Sequence, residues 1–199
     1  MKTHSYPAVL GALLALGCGN PSVDAKVELL GEENPAVEPG PFHRPGQPCV
    51  LCHSTYVGAN PELSVGGTIF GTSRKRLPVE AATVKLWDST GDYYETTTNC
   101  IGNFQVEKEK WDPSFPLHVE IEYPLPGEID PKTGLPQRKV ANMGTRISRD
   151  GSCAGCHIDN GLDISETQSS PGRVFCVKET AGATPVIFPP PAATCAGRL

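Results

Sequence analysis

The chain has 199 residues, and its 17 Lys and Arg against 22 Asp and Glu give a formal charge of −5. That acidic balance argues against a nucleic-acid partner, because a phosphate backbone selects clustered Lys and Arg. With 21 Gly and 20 Pro, many turns and short elements are expected rather than long helices, and eight Cys need a chemical explanation.

Lys2 gives a short positive start, and Val9 to Gly17 forms an apolar run too short for a convincing spanning helix. Residues 1–17 therefore read as an export signal. Their end, Ala15-Leu16-Gly17 followed by Cys18, resembles the bacterial lipoprotein cleavage box. The resemblance implies that Cys18 becomes the first residue, carries lipid and touches the membrane; plain secretion with a free Cys18 thiol is the alternative. More than one acyl chain makes such anchoring stable. Gly19 follows Cys18 where lipoproteins kept at the inner membrane usually have Asp, which favours the outer membrane, on its periplasmic or outer face. Cleavage removes Lys2 and no acidic residue, so the mature chain is one unit more negative than −5.

Residues 18–41 are rich in Glu, Pro, Gly and Asn and read as a flexible linker. A first motif segment spans 42–64, a strand-rich region 65–143, and a second motif segment with a C-terminal tail 144–199. Within the strand-rich region, Gly67–Phe70, Thr83–Trp87, Tyr93–Thr97, Asn103–Glu107 and Leu117–Tyr123 are β-branched, aromatic or alternating with period two. Asp88–Asp92 and Asn99–Gly102 supply turn signals between them. Arg74-Lys75-Arg76 reads as a solvated hairpin tip, and Pro185–Leu199, with Pro189-Pro190-Pro191, as an extended tail. The expected fold is mainly β: a small antiparallel β-sandwich flanked by two loop-rich segments. Gly66-Gly67-Thr68-Ile69-Phe70, Ala82-Thr83-Val84-Lys85-Leu86 and Gly102-Asn103-Phe104 make this region similar to carboxypeptidase-regulatory-like and transthyretin-like sandwich modules. That resemblance implies a fold and is silent on function.

The chemistry lies in Cys49-Val50-Leu51-Cys52-His53 and Cys153-Ala154-Gly155-Cys156-His157. Two thiols separated by two residues reach the two vinyl groups of a porphyrin, and the adjacent histidine becomes the proximal iron ligand. The repeat of this pattern in an exported chain predicts two covalently bound haem c groups. A shared zinc or iron–sulfur site usually recruits nearby pairs. A thioredoxin-like dithiol needs a β-α-β setting that the pattern lacks. Structural disulfides suit the compartment but leave the two following histidines unexplained.

Besides His53 and His157, the candidate iron ligands are His43, Met143 and His118. His43 precedes the first motif and reads as a distal ligand, with an exposed loop histidine as the alternative. Met143 lies in a polar stretch and reads as the second distal ligand, against core filling. Alternation puts His118 on the face of Glu120 and Glu122, a solvent-facing position. With Cys18 lipidated, Cys176 and Cys195 are the preferred disulfide because their bridge would close the tail; Cys100–Cys176 is the alternative.

The signal, both motifs, His43-Arg44-Pro45-Gly46 and Arg149-Asp150-Gly151-Ser152 together resemble those of bacterial multihaem c-type cytochrome lipoproteins. The resemblance implies electron transfer in the cell envelope, with other redox proteins or extracellular electron acceptors as partners and self-association as an option. A haem enzyme of peroxidase or small-molecule reductase type is one rival. A structural or ligand-binding sandwich with accessory haems is the other.

Overall fold

The structure, a computed structural model, describes residues 20–73, 75–158, 171–178, 181–191 and Cys195. The expected signal, the Cys18 anchor and Arg74 of the basic cluster lie outside the described residues. The chain divides into two units, one ending at Gly31 and one beginning at Glu32.

In the first unit, Pro21–Leu29 forms helix α1 where composition alone predicts a flexible linker. The Asn20 side chain accepts from the Ser22 N–H at 3.2 Å, and Pro21 sits at the first helical position, where its missing N–H is harmless. None of its residues is buried.

The second unit is mainly β, built of small sheets that are antiparallel apart from one short parallel pair. Strands β3 (Thr83–Trp87), β4 (Tyr93–Thr97), β6 (His118–Ile129) and β7 (Pro136–Asn142) form an antiparallel sheet in the order β4-β3-β6-β7. Strand β1 (Leu63–Thr68) pairs antiparallel with β5 (Asn103–Glu107). A parallel pair joins β2 (Phe70–Thr72) to β8 (Phe175–Val177).

Period-two alternation decides which face is inside. Val84 pairs with Ile121 and Leu86 with Val119, and all four are buried. They join Val65, Phe104 and Val106 from β1 and β5 in one apolar cluster. Removing a side chain such as Leu86 from this cluster costs about 2–5 kcal/mol. On the opposite face Lys85 bridges Glu120 at 3.3 Å and Glu122 at 2.8 Å.

Two strands carry no readable alternation. β7, with the sequence Pro-Gln-Arg-Lys-Val-Ala-Asn, is held by the ladder to β6 and by Arg138. Arg138 reaches across to Glu122 Oε1 at 2.6 Å and Thr83 Oγ1 at 2.9 Å. β8 lies in the segment read as loop, and its central Cys176 faces inward. The expected extended tail is also anchored. Phe188, 2% exposed, packs against Gly71, where a side chain would collide with its ring.

The Asp88–Asp92 turn is built on one carboxylate. Asp88 Oδ1 accepts from the Thr90 and Asp92 N–H groups at 2.8 and 2.9 Å, and Oδ2 from the Ser114 N–H at 2.9 Å. These bonds, led by that of Ser114, hold its pKa down to about 2 from an ordinary 3.8. A carboxylate depressed in the folded state contributes stability above its unfolded pKa and loses it as pH falls toward its folded one. Asp88→Asn should therefore melt several degrees lower than the wild type at pH 7, with the gap closing between about pH 4 and pH 2. A pH-independent gap in thermal denaturation would refute this role.

Candidate functional site

Both Cys-X-X-Cys-His motifs form single helical turns. Cys49–Cys52 is a short helix, α2, after which the His53 N–H donates to the Cys49 carbonyl at 3.0 Å. Cys153–Gly155 is a 3₁₀ turn, after which the His157 N–H donates to the Cys153 carbonyl at 2.8 Å. One turn brings the two thiols and the imidazole of each motif to one locality.

The histidines are oriented alike. His53 Nδ1 faces the Pro61 carbonyl at 2.8 Å, and His157 Nδ1 faces the Gly172 carbonyl at 2.8 Å. His43 Nδ1 is likewise bonded to the Gly40 carbonyl. A carbonyl only accepts, so Nδ1 donates in each contact, and in the neutral ring this leaves the lone pair on Nε2. That arrangement orients a metal-ligating histidine from its far side.

The two motifs, distant in the chain, meet at β1. A methyl placed on Gly66 would lie 2.9 Å from Cys49 Cβ, and one on Gly67 would lie 2.6 Å from Cys153 Sγ. Neighbouring positions on a strand face opposite ways. Cys153 therefore approaches on the core side of β1, near Phe104, and Cys49 approaches on the other. The Val50 N–H donates to Ser152 Oγ at 2.9 Å, and the Gly66 N–H to the Gly151 carbonyl at 3.1 Å, tying the motifs to each other and to the strand. Solvent exclusion raises the Cys49 thiol to about 11 and the Cys153 thiol to about 12. Burial also raises Cys52, with Arg44 opposing. These sulfurs are neutral in the fold, as thioether sulfurs also are.

The outer side of β1 and β5 is covered by the loop ahead of the first motif. The Gly46 N–H donates to Thr68 Oγ1 at 2.7 Å, and Asn103 Nδ2 donates to the His43 carbonyl at 3.0 Å. His43 and His53 thereby come within 5.7 Å between ring centroids, with the planes tilted by 33°. On the core side lies a cavity of about 590 Å³, lined by Cys153, Cys156, His157 and Met143 together with apolar Val119 and Ile121. Met143 is placed there by its N–H, which donates to the Val119 carbonyl at 3.1 Å.

The remaining candidates stand elsewhere. His118 is on the opposite face of β6 from Val119 and Ile121, 5.5 Å from the Trp87 ring, and away from both motifs. It stands on the sheet's outer face, the position that alternation with Glu120 and Glu122 predicts. The expected Cys176–Cys195 bridge is corrected. Cys195 pairs with Cys100, at a Cα separation of 6.2 Å, and Cys176 is a free, buried thiol. The inward face of β8 carries Cys176 into the apolar cluster, whereas Cys100 lies in the β4–β5 turn within reach of Cys195.

Among the described residues, no three or more His, Cys, Asp and Glu side chains converge as a metal-ion group. Gly66 and Gly67 belong to the stretch that resembles sandwich modules, and Gly151 and Ser152 precede the second motif, but nothing in the sequence signals that they dock the motifs together; two adjacent glycines inside a strand were the available cue. No family model, characterised protein or solved structure matches the chain.

Two measurements check this geometry. Peptide mapping without reductant should recover a Cys100–Cys195 link and an alkylatable Cys176 after unfolding; a linked Cys176 would contradict it. Gly67→Ala should cost about 1–3 kcal/mol in denaturant unfolding through overpacking against Cys153. Gly144→Ala, with no atom near the added methyl, is the control and should stay near neutral.

Proposed function

We propose that the chain is a dihaem c-type electron carrier of the bacterial cell envelope, related to the multihaem cytochrome lipoproteins. The observation that carries the reading is the convergence of two complete Cys-X-X-Cys-His turns on Gly66 and Gly67, each histidine holding its Nδ1 proton on a backbone carbonyl. We read the packed sheets as a small β-sandwich serving as a rigid mount, and Cys18 as the lipid anchor. No helix among the described residues is long and apolar enough to cross a membrane, which leaves membrane contact to that anchor in this proposal.

The donor set suits the cofactor at both places. Cys49 and Cys52 would hold one haem by thioether bonds, with His53 as proximal and His43 as distal ligand. These two imidazoles, 5.7 Å apart between ring centroids, would supply the nitrogen ligands to that iron. Cys153, Cys156 and His157 would hold the other, with Met143 lining the same cavity as distal ligand. Its 590 Å³ is within the range of about 300–1,000 Å³ typical of cofactor sites. Each bound haem supplies reversible one-electron exchange at its iron. The chain's own residues keep the rings in one tautomer, exclude water from Cys153 and fix the two motifs relative to each other through Val50 and Ser152. Rigid mounting limits reorganisation as charge changes.

Protein produced with a haem-attachment system should take up two electrons per chain in a reductive titration, and Cys153→Ser with Cys156→Ser should take up one. Low-temperature electron paramagnetic resonance should then find two low-spin ferric signals. His43→Ala and Met143→Ala should each alter a different one, and His118→Ala neither. No electron uptake from any mediator would refute the reading.

A further inference from the structure

Resting on the dihaem reading, we infer that Arg146, Arg173 and Lys178 form a cationic clamp for the porphyrin carboxylates of the second haem and make it the higher-potential centre.

The chain as a whole is acidic, at −5, yet the lining of the core-side cavity runs the other way. Among the described residues, Arg146, Arg173 and Lys178 line it against one carboxylate, Asp150. Its remaining lining includes the apolar faces of β3 and β6, Val84, Val119 and Ile121. An apolar floor with cations along its wall selects a flat hydrophobic ligand bearing anionic groups, which is the chemistry of a porphyrin with two propionates. Arg173 is further held over the Phe70 ring, 5.5 Å from its centroid, which sets its guanidinium beside the cavity rather than in open solvent. A planar guanidinium bonds a carboxylate through two parallel N–H groups.

The loop that carries His43 has a different electrostatic setting. Among the described residues, the small cavity that His43 lines has Glu32 and Glu33 against one cation, Arg44, which is bonded to Glu33 at 3.0 Å. Iron gains an electron more readily where surrounding charge is positive. The neutralised carboxylates at the second site therefore favour its reduced state, in the same direction as a thioether ligand from Met143. Electrons entering at the outer-face site would come to rest at the core-side site.

The test uses full-length, haem-loaded protein. Spectroelectrochemical titration at low ionic strength should resolve two one-electron steps. The variants are Arg146→Gln with Lys178→Gln, Arg173→Gln alone, and the charge-conserving Arg146→Lys with Lys178→Arg. The two exposed cations are removed together because neither belongs to the buried cluster. Their loss should move the upper step down and leave the lower step in place, about a tenfold fall in the inter-haem equilibrium constant. Arg173→Gln should act in the same direction, and the charge-conserving pair should behave as wild type. Added salt should narrow the two steps in the wild type and not in the double variant. A pyridine haemochrome count separates the layers of the claim. Two haems with unmoved steps, or with both steps moved equally, overturn the clamp alone. Fewer than two haems overturn the dihaem reading and the clamp with it.

Discussion

Two side chains that are not there organise this molecule. Gly66 and Gly67 are consecutive on β1, and each leaves room for the first cysteine of a different motif. Because neighbouring strand positions face opposite ways, one motif docks on the core side and the other on the outer side. The Val50–Ser152 hydrogen bond and the Gly66–Gly151 contact then close the arrangement. Segments separated by most of the strand-rich region thus become neighbours. A β-carbon at either glycine would press against a motif cysteine and strain this arrangement.

The two sides of β1 offer different surroundings, and the chemistry of each site follows. On the core side, the apolar faces of β3 and β6 extend into a cavity that contains His157 and Met143. On the outer side, a loop pinned by Thr68 and Asn103 brings His43 to His53. One site is thereby lined largely by apolar sheet residues, the other is assembled from loop residues. On the proposed dihaem reading, similar motifs in unlike environments would give one small chain two centres of different potential.

Much of this was readable before folding. Strands β3, β4 and β5 coincide with the stretches where β-branched and aromatic residues alternate, and the Asp88 and Asn99 turns lie where their side chains can bond their own backbone. β7 was not readable, because Arg138 and the ladder to β6 hold it without any buried apolar alternation. β8 and the anchoring of Phe188 depend on contacts with Phe70 and Gly71 that are remote in sequence. Helix α1 depends on the Asn20 cap and Pro21, cues easily outweighed by a polar composition. At the site, the cysteine and histidine spacing carried the thiol pairs and their imidazoles. It did not carry the disulfide partner of Cys195, which the turn at Cys100 decides, whereas alternation along β6 already set His118 on the face of Glu120 and Glu122.

The central claim is that both thiol pairs retain porphyrin covalently. Intact mass spectrometry combined with a pyridine haemochrome assay, on protein purified from a host with haem-attachment machinery, addresses it without reference to any partner. The account predicts a mass exceeding the polypeptide by two haem increments and a matching chromophore count of two per chain. A colourless product at the polypeptide mass would contradict it.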